Sequence, residues 1–522
     1  MRERAGALSK NQQIALILGL ITLIGLALRI PSMNDTLLWD ELSTHYVVFD
    51  RSFGGMLDMV RGEQEVSPPL YFIFAWLFAQ LGDPSLTMRL PSLIAGLATI
   101  PLTYLLGAWT VGRKAGLVGA LLIAVSPFMI FYSAEARPYG MVTCLTLLST
   151  LSLIAAVRGN RLRWWVAFAF FTAASMYSHY TALFVLSAQF IWALVYFKGL
   201  RFRMLLAGAG SVVLFLPWLP EYLADSDSPG ASVIEALQPF TAAAVRLDLS
   251  QWALVHPFVP RTELPGRAFQ LLLVAGLALA VAGLLRELWL RRDQPFFWRP
   301  DRWVVLVVTL ALAAPVMAAI VSYVDVSVYL PRNLATSWPG LAVSMGALLM
   351  ANRMKVLRIV STGLVVFYYG FIAVSMFDDE YQRPDYKGAA ELIADEFKPG
   401  DRIVEYASFQ PAPISPLDVP LDELRESQPD IAQVDRLGIP ARKLSDAAIQ
   451  PGGIGRYAPL PVESAASLAK RTGNLSGPEK LFLVTPGGDP LEIVRIFPDA
   501  VSYTHLTLPT STLCSSRWSP SH

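Results

Sequence analysis

Charged residues and cysteines are both scarce in this chain of 522 residues. Only 16% of the residues are charged, whereas a soluble globular protein carries about 25%. The two cysteines, Cys144 and Cys514, are too few for a disulfide framework or a cysteine-based metal site. The sequence also contains neither a phosphate-binding P-loop nor a dinucleotide-binding fingerprint. A net charge of +1 gives no indication of nucleic-acid binding.

Long apolar runs are what the sequence has in abundance, since 54% of its residues are hydrophobic. Runs of about 20 residues, the length that crosses about 30 Å of hydrocarbon, recur as far as Met376. The sequence therefore predicts an all-α polytopic membrane protein with about eleven spans. The expected spans are 13–31, 88–111, 116–132, 139–157, 164–178, 181–197, 205–220, 267–285, 303–322, 335–351 and 357–376.

The distribution of basic residues predicts the orientation. The apolar run 68–81 is short for a crossing, and we expect it to be interfacial or re-entrant. If 68–81 does not cross the membrane, 19 basic residues lie in cytoplasmic segments and nine in outer segments up to Met376. This is the bias expected of a protein whose N-terminus is cytoplasmic. The first apolar run has no cleavage site after it, so we expect a retained span.

The residues after Met376 have a different composition. We predict a transmembrane domain over 1–376, with a first outer loop at 32–87, and an extracytoplasmic α/β domain over 377–500. In the latter, 385–393 is typical of an amphipathic helix, and 402–406 and 481–484 are typical of strands. The Ser/Thr-rich end, 501–522, has no apolar periodicity, and we expect it to be foreign or disordered.

Polar motifs recur on the predicted outer side, and each also has an ordinary structural explanation. Adjacent carboxylates follow the first span, where charge near hydrocarbon often marks a site, although they could simply be solvated. A proline pair can just begin a helix, an arginine at a span end can extend to the interface, and a Glu and Arg two apart can form an ion pair. The motifs are Trp39-Asp40-Glu41, Pro68-Pro69-Leu70-Tyr71, Arg89-Leu90-Pro91-Ser92 and Glu135-Ala136-Arg137-Pro138-Tyr139.

In this order, the motifs resemble those of the bacterial membrane glycosyltransferases of family 39. The chain is most similar to the RgtA/B/C/D-like branch, akin to protein O-mannosyltransferases and aminoarabinose transferases. The resemblance is strong over about residues 13–200 and looser to 376. It implies a GT-C fold and transfer of a sugar from a polyprenyl phosphate on the outer face of the cytoplasmic membrane. Aminoarabinose transferases carry Lys where Ser67 stands here, so their donor contact and substrate do not follow.

The resemblance also implies roles for individual residues. Asp40 is the expected catalytic carboxylate, activating an acceptor hydroxyl as general base, with Glu41 as its helper. Arginine suits a donor phosphate because its charged planar fork matches the phosphate oxygens, and Arg137 is the first candidate. The residues expected to bind substrate are Arg89, Glu135, Arg137, Tyr139, Arg332, Pro68, Pro69, Tyr71 and His179.

No cofactor is required by this interpretation, and a divalent metal is not indicated. Asp225-Ser226-Asp227 imitates an Asp-x-Asp metal motif, but short matches of this kind arise by chance. His45 and His179 have no partner at metal-ligand spacing. The expected partners are a polyprenyl-phosphate sugar, the lipid bilayer and an acceptor that is a glycan, lipid or protein.

Two other classes of function remain open at this stage. A transporter or flippase of lipid-linked sugars would share the membrane helices, but transporters often show internal repeats, and none is evident between the two halves. A non-catalytic membrane scaffold for the outer domain would have no need of both Asp40 and Glu41. The sequence identifies neither the sugar nor the acceptor.

The predicted orientation can be tested by labelling. Single cysteines replacing Lys114 and Asp385, in a background without the two native cysteines, should differ when intact cells meet an impermeant thiol reagent. We expect labelling at 385, on the outer side, and none at 114 because the positive-inside bias places it in the cytoplasm. The reverse pattern would refute this orientation.

Overall fold

The structure is a computed structural model that describes most of the membrane region and part of the remainder. The described residues are 9–38, 40–62, 65–225, 240–255, 262–292, 301–378, 381, 383–406, 414–437, 481–485, 503–507 and 514–517. They divide into two compact units. The first comprises Met1–Met33 and Val47–Met376, and the second Asn34–Tyr46 and Phe377–His522.

The first unit is built from helices. In chain order these are α1 (Lys10–Ala27), α2 (Asp40–Val48, which begins in the second unit), α3 (Phe53–Val60), α4 (Leu70–Ala79), α5 (Pro84–Thr87), α6 (Leu90–Thr110), α7 (Arg113–Val125), α8 (Pro127–Ala134), α9 (Tyr139–Gly159), α10 (Leu162–Ser178), α11 (Ala182–Tyr196), α12 (Arg201–Phe215), α13 (Leu219–Asp225), α14 (Ala242–Ala253), α15 (Arg267–Leu290), α16 (Arg302–Val324), α17 (Trp338–Ala351) and α18 (Lys355–Ser375).

The helical membrane architecture expected from the sequence is confirmed. Among the described residues, eight helical segments are long and apolar enough to cross a membrane. A ninth span results if α7 and α8, which are bent by 59°, are taken together. The other two expected spans, 164–178 and 181–197, form α10 and α11, but these have only 17 and 15 residues. The run 68–81 forms the short α4, of 10 residues.

Close helix contacts depend on small residues. Only two residues separate α6 from α7, and Gly112 turns the chain there with φ +120°, a conformation that favours glycine. Gly107 of α6 then faces Gly116 of α7, and a Cβ added at Gly116 would lie 2.6 Å from the Tyr104 carbonyl oxygen. The two backbones therefore approach as closely as small residues allow, which is the usual way membrane helices associate.

The second unit contains a five-stranded sheet in the order β2-β1-β3-β4-β5. Its strands are β1 (Arg402–Tyr406), β2 (Val434–Leu437), β3 (Leu481–Thr485), β4 (Tyr503–Thr507) and β5 (Cys514–Arg517), and its helices are α19 (Tyr386–Glu396) and α20 (Asp418–Arg425). The strands pair in parallel except β4 with β5. Ile393 of α19, Ile403 of β1 and Leu421 of α20 share one apolar core. The helix and two strands predicted here are present.

Two details differ from the predicted domains. Asn34–Tyr46, expected in the membrane domain, belongs to the second unit, and Leu38 joins the core of that unit. Strands β4 and β5 lie in the segment expected to be disordered, so the expectation is corrected for these residues. Pairing with an existing strand edge uses backbone groups, and Tyr and Thr favour strands, so no apolar periodicity is required.

Replacing Gly116 by Ala should destabilise the first unit because the methyl group would meet the α6 backbone. Overpacking of this kind costs about 1–3 kcal/mol. Gly363 in α18 is the matched control, since nothing lies within 4 Å of an added Cβ there. At that position Ala should be neutral or stabilising by up to about 1 kcal/mol through helix propensity. Thermal unfolding in one detergent would measure both, and equal shifts would contradict the packing argument.

Candidate functional site

Three of the sequence motifs meet in the first unit. Tyr71, from the proline-pair motif, donates its hydroxyl proton to the carbonyl oxygen of Met88 at 2.9 Å. Ser92, from the Arg89 motif, donates to the carbonyl oxygen of Arg137 at 2.7 Å and lies 3.3 Å from the Tyr71 hydroxyl. All three side chains are buried. Segments well separated in the chain are thus held together by one hydroxyl, that of Ser92.

Arg137 forms a buried ion pair with Glu65. Its Nη1 lies 3.0 Å from Glu65 Oε2 and its Nη2 lies 3.4 Å from Glu65 Oε1, so the ion pair is bidentate. Nη2 also donates to Ser67 Oγ at 3.3 Å, and the guanidinium lies 6.0 Å from the centre of the Phe72 ring. Charge-assisted bonds of this kind fix both position and orientation.

Sequence reasoning did not single out Glu65. The available signal was its place in the segment 32–87, two residues before Ser67 and three before the proline pair. Ser67 itself stands where aminoarabinose transferases carry Lys. In this structure its hydroxyl is one of the groups that hold the guanidinium of Arg137.

Arg89 is buried and does not extend to an aqueous interface. Its side chain is 1% exposed, and Nη1 donates to the carbonyl oxygen of Met33 at 2.9 Å. The bond links the start of α6 to the short 3-10 turn, Pro31–Asn34, that follows α1. The interfacial alternative considered from the sequence is therefore wrong, and Arg89 connects two segments of the first unit.

The remaining candidates of the first unit lie around the start of α9. Pro68 and Pro69 are buried, and Pro69 directly precedes α4. Glu135 is buried between α8 and α9, where its carbonyl oxygen accepts from the Arg137 amide. Tyr139 begins α9.

The rings of Tyr139 and His179 lie 5.4 Å apart. His179 is half-buried, and its Nδ1 is 2.8 Å from Thr181 Oγ1. The structure therefore brings His179 next to the motif that contains Arg137 and Tyr139. The sequence spacing could not show that these rings are neighbours, because they are 40 positions apart in the chain.

Arg332 lies in a 3-10 turn, Pro331–Ser337, that packs against α9. Its side chain is half-buried. The preceding Tyr329 is buried, and this burial together with the nearby charge of Asp248 raises the pKa of its hydroxyl to about 12. Burial also raises the pKa of the Asp248 carboxyl, to about 7. A protonated tyrosine thus precedes the turn, three residues before Arg332.

The first aspartate of the Asp-x-Asp sequence, Asp225, has a structural role. Asp225 Oδ2 accepts a bond from the Tyr180 hydroxyl at 2.7 Å, and Trp218 Nε1 donates to that hydroxyl at 3.0 Å. Burial, then the bond to Asp225, raises the pKa of Tyr180 above its ordinary value, so it remains a donor. Asp227 lies outside the described residues. Within the described part of the chain, no three His, Cys, Asp or Glu side chains are grouped for a metal ion.

Asp40 and Glu41 lie in the second unit, at the first turn of α2. Glu41 is fully buried and forms an ion pair with Arg383, which also donates to the carbonyl oxygen of Thr36 at 3.3 Å. Asp40 is half-buried. The two adjacent carboxylates are therefore in different environments, and Arg383 is a partner that the sequence alone did not reveal.

Residues 66–220 match the family model of the dolichyl-phosphate-mannose-protein mannosyltransferases. The match includes the proline-pair, Arg89 and Arg137 motifs, and it confirms over these residues the resemblance noted in the sequence. No curated protein gives a significant match.

Distant likenesses exist among solved structures. ArnT from Cupriavidus metallidurans, bound to undecaprenyl phosphate, is 14% identical with a TM-score of 0.46, over 79% of this chain and 85% of that chain. The archaeal oligosaccharyltransferase AglB from Archaeoglobus fulgidus, in complex with an inhibitory peptide and a dolichol-phosphate, is 12% identical with a TM-score of 0.45. That similarity covers 76% of this chain and only 62% of AglB.

Replacing Glu65 by Gln should destabilise the first unit because Arg137 would keep its charge without a carboxylate from Glu65. Breaking a buried pair in this way costs about 3–5 kcal/mol. Glu221→Gln is the control: it breaks the pair of Glu221 with Arg61, whose side chains are 26% and 52% exposed. An exposed pair contributes about 1 kcal/mol or less. Unfolding midpoints in detergent would compare the two, and similar small shifts would show that the Glu65 pair contributes little.

Proposed function

We propose that the protein transfers a sugar from a polyprenyl-phosphate donor to an acceptor hydroxyl on the outer face of the cytoplasmic membrane. The observation that carries this proposal is the convergence of three motifs on Ser92, which positions Arg137. These motifs fall within the segment that matches a family named for dolichyl-phosphate-mannose-dependent transfer. The outer-face location follows from the charge bias of the loops.

Arg137 is the proposed contact for the donor phosphate. Its guanidinium has the planar geometry that phosphate oxygens recognise, and Glu65 and Ser67 hold it in one orientation. A donor phosphate would compete with the Glu65 carboxylate for the same N–H groups. We infer that Glu65 orients Arg137 before the donor arrives and yields part of this contact when the phosphate binds.

Asp40 is the proposed general base. As the acceptor oxygen attacks the anomeric carbon, its proton passes to the Asp40 carboxylate, and the bond from that carbon to the phosphate oxygen breaks. Glu41 is fully buried and paired with Arg383. A carboxylate engaged by a guanidinium is a weaker base, so this pair favours the role of a helper for Glu41.

Variants of the two carboxylates should separate these roles. Asp40→Asn keeps the shape and removes the basic oxygen, so turnover should fall by about 10²–10⁴-fold while donor binding survives. Glu41→Gln should have a smaller effect if Glu41 only orients its surroundings. Single-turnover transfer of labelled sugar from polyprenyl phosphate in nanodiscs measures both. Near-parental transfer by Asp40→Asn would refute its assignment.

The donor contact needs a control for stability. Arg137→Ala should weaken donor binding by removing a charge-assisted bond, but it also leaves Glu65 without this arginine. The double variant Glu65→Gln with Arg137→Gln removes both charges, so it should recover stability without recovering donor affinity. Recovery of affinity in the double variant would contradict the phosphate role.

Movement of intact labelled lipid across the bilayer, with no sugar transfer by the parent protein, would favour the alternative of a flippase.

A further inference from the structure

Arg29, at the end of the first span, is completely buried. Its side chain has 0% exposure, and no carboxylate in the described part of the chain pairs with it. A guanidinium is permanently charged, and a buried charge inside a membrane protein is costly and usually has a function. The role of Arg29 is therefore inferred from the acceptors that it contacts.

These acceptors are carbonyl groups at the break between α7 and α8. Arg29 Nη2 donates to the Ile123 carbonyl oxygen at 3.2 Å, and Nη1 donates to the Ala124 carbonyl oxygen at 3.1 Å. In a continuous helix, the Ile123 carbonyl would receive the amide of residue 127, but that residue is Pro127 and has no N–H. Arg29 supplies the bonds that the break removes, at the negative end of the α7 dipole.

The surroundings of Arg29 allow this arrangement. Nη1 also donates to the Gly25 carbonyl oxygen at 2.8 Å, one turn back in α1. A Cβ at Gly25 would lie 3.4 Å from the Ala124 Cβ and 2.5 Å from Ile100 Cδ1. Glycine at this position therefore lets α1 approach the end of α7 closely enough for the guanidinium to reach both carbonyls.

The break directs α8 toward the candidate site. The two helices are bent by 59°, and α8 leads directly into Glu135-Ala136-Arg137. Ser133 near its end packs against Gly96 of α6, and the Ser92 hydroxyl of α6 donates to the carbonyl oxygen of Arg137. The direction of α8 thus determines where the Arg137 backbone meets α6.

We propose that Arg29 is a positioning residue: by replacing the hydrogen bonds lost at Pro127, it holds the α7–α8 bend that places Arg137 for the donor phosphate. This inference rests on the proposed function for its consequence in transfer. The role of Arg29 at the bend itself stands on geometry alone and has its own readout.

The test compares Arg29→Met with Gln189→Met. Gln189 is also fully buried, and it links α11 to the middle of α9 through Thr150 and Ser149, at 2.6 and 3.0 Å. Both variants remove a buried donor and should lower the unfolding midpoint. Only Arg29→Met should accelerate hydrogen exchange in residues 126–137. It should also reduce single-turnover transfer by up to about 10²-fold, the effect of a displacement of about 1 Å.

Two further variants keep the test decisive if Arg29→Met folds poorly. Arg29→Lys retains the charge with a single donor group, so it should restore part of the protection of 126–137. Pro127→Ala returns an N–H to the helix, so loss of Arg29 should matter less in that background, which a double-mutant cycle measures. Equal exchange in Arg29→Met and Gln189→Met, or additive effects with Pro127→Ala, would overturn the proposal.

Failure of the proposed function would be recognised separately. If the parent protein neither binds polyprenyl-phosphate sugar nor transfers it, the donor assignment of Arg137 fails. The exchange measurement over 126–137 requires no donor, so it still decides whether Arg29 supports the bend.

Discussion

Every polar group buried in the helical unit has to find its partner within the protein, because hydrocarbon supplies none. Specific pairs supply such partners for several of the buried side chains. Thr150 and Ser149 share Gln189, Arg89 uses the carbonyl of Met33, and Arg137 uses the carboxylate of Glu65. These pairs, more than apolar contact alone, specify which helices are neighbours, because apolar side chains pack nearly as well against lipid as against each other.

Because of the same requirement, a break in a membrane helix can create a functional site. A proline within apolar surroundings frees a carbonyl group, and another side chain must then satisfy it. At Pro127 a charged side chain from the first span does so, and the redirected chain carries Glu135 and Arg137. An uninterrupted helix would have continued past this point with its polar groups bonded internally, and its side chains would have been spread around the helix axis.

The segment that carries the adjacent carboxylates Asp40 and Glu41 is held by contacts within the second unit. Leu38 packs into the core of the second unit, and Glu41 pairs with Arg383, 342 residues further along the chain. A short segment that follows the first span is thus an integral part of the α/β unit. The proposed catalytic carboxylate therefore depends on the stability of that unit, and mutations in α19 or β1 are mutations of its supporting structure.

The sequence by itself determined the features that depend on local periodicity and length. Runs of about 20 apolar residues predict spanning helices because only a helix satisfies its own backbone in hydrocarbon, and α1, α6, α9 and α15 lie where they were expected. The order of the motifs indicated a resemblance to family 39, and short apolar segments typical of strands indicated β1 and β3. The tertiary structure alone decided the partners: Glu65 for Arg137, Arg383 for Glu41, and two carbonyl groups for Arg29. Such pairs join residues far apart in the chain, so no periodicity encodes them; they follow only from which helices pack together and where a break redirects the backbone.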